Sequence, residues 1–116
     1  MLNTDIYDVI PPACQDGLIR HIIHGHELGQ FLEAVLANDL MNAASRADLD
    51  NQRILHIYAS FLFNAAPAGS FGSPEKVAKW RRVRKDEGPL SANVVDWPNE
   101  AWEAQAKAVA RNGRAR

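Results

Sequence analysis

Apolar residues recur along this chain at helical spacing in a series of separate stripes. Leu18, Ile19, Ile22 and Ile23 form the first. Pro11-Pro12 precede it, and proline is tolerated in a first helical turn, where its missing N–H has no intrahelical partner anyway. Gly25 follows as a residue suited to the left-handed position after a helix. The pattern predicts a helix over 12–24. Phe31, Leu32, Val35, Leu36 and Leu40 form a second stripe, with Glu33, Asn38 and Asn42 lying off it. Ala34, Ala37, Ala43 and Ala44 favour the same conformation. This predicts a helix over 28–45, antiparallel to the first because only a few residues separate them. Ile54, Ile57, Tyr58, Phe61 and Leu62 make a third stripe and predict a helix over 49–64, with Asp48 or Asp50 placed to cap it. Three such stripes can bury one another, each large side chain contributing about 1.5–3 kcal/mol.

The remainder is punctuated differently. Residues 65–73 are a loop by composition, with Phe71 placed to pin it to the core. Ser73-Pro74-Glu75 is a cap, a first-turn proline and a first-turn acid, which predicts a helix over 74–86 with Val77, Trp80 and Val83 on one face. Gly88-Pro89 ends it, and 88–95 reads as an extended linker. Asp96 then caps a fifth helix over 96–112, ended by Asn112-Gly113, with 114–116 frayed. Its apolar face, Trp102, Ala106 and Val109, is thin, so this helix is expected to be weakly anchored. The expected fold class is all-α: a compact bundle of about five helices in one domain over 1–116. A three-helix core, a basic helix and a C-terminal helix make it up, with the core region spanning 12–86.

Charge changes this picture. The 116 residues carry a formal net charge of only −1. That figure is a cancellation, because residues 1–75 sum to −6 and residues 76–116 to +5. Lys76, Lys79, Arg81, Arg82, Arg84 and Lys85 fall within one short helix. Such an asymmetry marks a contact surface, for phosphates among other partners, or else a solvated helix face. No apolar run approaches the length of a membrane span, and the acidic N-terminus lacks the pattern of a secretory signal, so a cytoplasmic protein is expected. A single cysteine, Cys14, excludes an internal disulfide.

Few residues carry candidate chemistry. His21, His24 and His26 are close enough to ligate a metal, or to be ordinary histidines at a helix end, where a protonated ring suits the dipole. Cys14 lies in a first helical turn with no histidine base near it in sequence, so a small half-buried side chain is the simpler reading than a nucleophile. Asn38-Asp39 sits late on an apolar helix, as a hydrogen-bonding pair to the next helix or as a partner contact. Trp80 is placed to anchor its helix to the core. Trp97 and Trp102 either anchor the fifth helix or, with the arginines, serve as binding hot spots. The candidate partner-binding set is therefore Lys76, Lys79, Arg81, Arg82, Arg84, Lys85, Trp97 and Trp102. No catalytic residue, cofactor or assigned metal site is expected.

The stretch Gly25–Asn51, with Gly29, Phe31-Leu32, Ala34-Val35-Leu36, Asn38-Asp39-Leu40 and Arg46-Ala47-Asp48, resembles small uncharacterised proteins of phages and other bacterial mobile elements. Gly72-Ser73-Pro74-Glu75-Lys76-Val77 followed by Trp80 resembles the end of the same pattern. The resemblance covers about residues 10–80, and 81–116 lies outside it. It implies an accessory protein, not an enzyme, that acts in a bacterial host cell by binding and modulating a host or defence-system protein, in the manner of an anti-CRISPR inhibitor. The alternatives are a nucleic-acid-binding accessory protein using the helix at 76–85, and a metal-binding protein using the histidines. Self-association through the fifth helix also stays open.

Overall fold

The computed structural model describes residues 4–112, which hold seven α-helices, two 3-10 turns and no strand. The expected terminus at Gly113 and the tail 114–116 lie outside the described residues. The helices are α1 (Pro12–His24), α2 (Gln30–Leu36), α3 (Leu40–Arg46), α4 (Leu49–Gln52), α5 (Leu55–Ala65), α6 (Pro74–Glu87) and α7 (Glu100–Asn112). The all-α bundle stands, with more and shorter helices than five.

α1 is the axis of the molecule. Leu18, Ile19, Ile22 and Ile23 are buried, and α2, α6 and α7 all pack against this helix. Pro12 opens it, and Gly25 closes it at φ 72° with its N–H donating to the His21 carbonyl. The second expected helix is broken in two. Asn38 takes a left-handed φ of 62°, which asparagine tolerates better than most residues. The Asp39 carboxylate then accepts the Asn42 N–H and restarts the helix as α3. The third is broken as well. Asp48, not Asp50, caps the single turn of α4 by accepting the Asn51 N–H. Ile54 departs from helical geometry before α5 begins. The buried Asn51 side chain accepts the Tyr58 hydroxyl at 2.7 Å and ties the two pieces together.

The core reaches beyond the three expected stripes. Tyr7 and Ile10, from the 3-10 turn at Thr4–Val9 and the residue after it, are buried. The Tyr7 and Ser60 hydroxyls share a hydrogen bond at 2.7 Å that fixes this segment on α5. α7 is not weakly anchored. Trp102 is 0% exposed and stacks on Phe61, with ring centroids 4.7 Å apart, and Ala106 and Val109 are buried against α1. A thin stripe suffices because Ala106 lets the two helix backbones approach closely. α7 starts at Glu100, since the Asn99 side chain, not Asp96, accepts the Trp102 N–H. The segment 88–95 is held in place. The Leu90 N–H donates to the Ile23 carbonyl, and Ala92 and Val95 are buried around a second 3-10 turn. The radius of gyration, 13.3 Å, is that of one compact unit of this length. No helix among the described residues is long and apolar enough to cross a membrane.

Candidate functional site

α6 begins where Ser73 accepts the Lys76 N–H, with Pro74 in the first turn. It docks on the C-terminus of α1. The Trp80 indole N–H donates to the carbonyls of His21, which also accepts the Gly25 N–H, and of Ile22, at 3.1 and 3.2 Å, at the end of α1 where acceptors outnumber intrahelical donors. Trp80 thus has the structural role expected of it. Gly25 permits this approach, because a Cβ there would lie 3.0 Å from the Cβ of Arg84 at a φ strained for any other residue.

The docking divides the basic run. Arg81 turns inward and forms a paired hydrogen bond with Glu33 on α2, one arm of it 2.9 Å long. Burial raises the Glu33 carboxyl pKa, but the Arg81 bond and the Leu28 N–H outweigh it and hold the group below its ordinary value. Arg84 lies over the Trp80 ring with its side chain only 9% exposed. Lys76, Lys79, Arg82 and Lys85 are exposed, as are Glu75 and Asp86. Glu75 and Asp86 thus flank Lys79 and Arg82 along the outer face. The candidate set is accordingly corrected. Trp102 is in the centre of the core and offers no surface, Arg81 holds α6 to α2, Arg84 is packed on Trp80 of its own helix, and the half-buried Trp97 donates its indole N–H to the Ala92 carbonyl.

The histidines do not form a ligand set. The Nε2–H of His21 donates to the Ser70 carbonyl at 2.8 Å, and that of His24 to the Val109 carbonyl at 3.1 Å, which leaves Nδ1 as the one lone pair on each ring. The rings of His24 and His26 stack on each other. Among the described residues no three metal-ligating side chains converge. Burial, reinforced by the Arg81 charge, lowers the His21 pKa to about 4 against the opposing pull of the Ser70 carbonyl. Cys14 is half-buried beside Tyr58, whose phenol pKa is raised by burial first and by the neighbouring thiol second.

The structure reveals an apolar groove on the opposite side of α2. The break at Asn38-Asp39 swings α3 outward, so that Leu40 is 67% and Met41 81% exposed; Leu40 is not in the buried stripe where its spacing put it. Across from it, Leu55, Ala59 and Phe63 stand one turn apart along α5, and Phe63 is 81% exposed. Between these walls lies a groove of about 350 Å³ floored by Ala34, Val35, Ala43 and Gly72. A second hollow, between α2, α3 and α6, is more polar, shares Asp39 with the first, and holds the Glu33–Arg81 pair. One signal for the apolar groove was present in the residues. α5 is apolar almost all round, which in a small domain means a second face that the core does not cover. Comparison with protein-family models, curated proteins and solved structures finds no match.

Proposed function

We propose that this protein acts by binding, without turnover, and that the groove between α3 and α5 is its contact surface. The observation that carries this is the placing of Leu40 and Phe63 in solvent on the two walls of one apolar groove. Exposed apolar patches of this kind on small soluble domains mark protein interaction sites. The partner in this reading is a host or defence-system protein of a bacterial cell, and the protein is a phage or mobile-element accessory factor that modulates it in the cytoplasm. The resemblance over residues 10–80 supports that context, and the groove falls within those residues. Affinity capture from bacterial lysate with the wild-type chain and with Phe63→Asp is the test. One protein retained in stoichiometric amount by the wild type and lost by the variant is expected. Equal retention by both, or retention of nothing, would contradict the proposal.

A second reading rests on the exposed Lys76, Lys79, Arg82 and Lys85 of α6 as a nucleic-acid contact. Four phosphate contacts would make affinity fall about a hundredfold between 50 and 200 mM salt. A mobility-shift titration at those two concentrations separates the readings, since binding with a shallow salt dependence, or no shift, rules this one out.

A further inference from the structure

We infer that the groove receives an amphipathic helix of the partner protein, one that carries a lysine or arginine where it passes Asp39. The inference rests on the reading of the groove as the contact surface, and it names the occupant. Three features converge on it.

The first is shape. The floor is built mostly of small residues, Ala34, Ala43 and Gly72 beside Val35, and the rims of large ones, Leu40 and Phe63. A groove with a low floor and high apolar rims takes a ridge of side chains. The α5 wall repeats at Leu55, Ala59 and Phe63 over about 12 Å of helix axis, which matches anchors at i, i+3 or i+4, and i+7 on a docked helix.

The second is charge. Asp39 is the one ionisable residue among those lining the groove. The Asn42 N–H and side-chain amide hold its carboxylate, at 3.2 and 2.6 Å, and thereby orient it. It sits between the negative end of α2 and the positive end of α3, so the charge it shows the groove is that of the carboxylate itself. A cation on the occupant complements it.

The third is extent. A dozen residues line the groove, against the 20–30 a side that a stable dimer of ordinary size uses. The long helices of this chain do not supply the occupant either. α1, α6 and α7 turn their apolar faces into the core through Ile22, Val77 and Trp102. The helix therefore comes from another protein.

The test is a display library of 14-residue peptides selected against the full chain. Enriched peptides are then titrated by fluorescence anisotropy against the wild type, Phe63→Asp, Leu40→Glu, Asp39→Asn and Lys79→Glu. Asparagine caps a helix as well as aspartate does, so Asp39→Asn removes the charge and keeps α3. Phe63 and Leu40 are exposed, and circular dichroism confirms that each variant is folded. The expected peptides have apolar residues one turn apart and a lysine or arginine. Phe63→Asp and Leu40→Glu should weaken binding at least tenfold and Asp39→Asn about three- to tenfold, with Lys79→Glu leaving it unchanged. Peptides that need Phe63 but are proline-rich, lack a basic residue or ignore Asp39→Asn would overturn the occupant and leave the contact surface standing. Peptides indifferent to Phe63→Asp and Leu40→Glu, or no enrichment, would overturn both. A dimer mass by light scattering that reverts to monomer in Phe63→Asp would make a second copy the occupant and likewise overturn the inference.

Discussion

Trp102 and Phe63 are both large aromatic residues on amphipathic helices, and the chain treats them oppositely. Trp102 is 0% exposed, stacked on Phe61 between α1 and α7, whereas Phe63, two residues beyond Phe61 on α5, is 81% exposed beside the groove. The same contrast separates Ile22 from Leu40. On the α1–α7 side each large apolar stripe meets another, and Gly25, Trp80 and Leu90 satisfy the helix-end polar groups. On the α3–α5 side the stripe of one helix is turned away by a single left-handed residue, Asn38, and its apolar side chains face water. Buried packing is concentrated in the first region and the proposed contact surface lies in the second, so substitutions should divide the same way.

The largest effect belongs to the core. Trp102→Ala should cost about 3–5 kcal/mol, read as a lower midpoint in urea denaturation, because it leaves a cavity between α1, α5 and α7. A loss below about 1 kcal/mol would mean that α7 is not part of the folding unit. Next comes pH. The His21 pKa is lowered to about 4 when folded, against an ordinary value of 6.5, so the unfolded chain takes up the proton first. Stability should be full above about pH 6.5 and decline as pH falls to about 4, by about 3 kcal/mol in all. His21→Gln should flatten that part of the profile. Asp39→Ala removes the cap of α3 and should cost about 1 kcal/mol, while Asp39→Asn should cost almost nothing. Smallest of all, Phe63→Ser should change stability by no more than about 0.5 kcal/mol, since the side chain is already in water. A large loss there would erase the contrast on which the groove's role depends.

How much of this was readable from the residues follows from how each boundary is written. α1 and α6 run over Pro12–His24 and Pro74–Glu87, close to expectation, because proline, serine and glycine mark their ends and act within a few residues. The break between α2 and α3 was not readable. Asn38 is neither proline nor glycine, Ala37 precedes it, and Leu40 continues the Leu32–Leu36 row at i+4 spacing. Only the left-handed backbone at Asn38, stabilised by the Asp39 cap, interrupts it. The role of Trp102 was not readable either, since its burial depends on α1 and α5, dozens of residues away. The basic run at 76–85 was plain as charge. Its division into an inner pair, Arg81 and Arg84, and an outer set depends on Glu33 of α2 and on Gly25, both distant in sequence. Apart from the apolar second face of α5, the groove lay hidden for the same reason, being made of residues from four segments whose meeting no local spacing encodes.

In the proposed function the α3–α5 groove, and not the basic face of α6, meets the partner. Photo-crosslinking tests it most directly, with a reactive amino acid at position 63 in one variant and at position 82 in another, each irradiated in bacterial lysate. The account predicts a single protein adduct from position 63 and none from position 82. An adduct from position 82 alone, to protein or to nucleic acid, would contradict it.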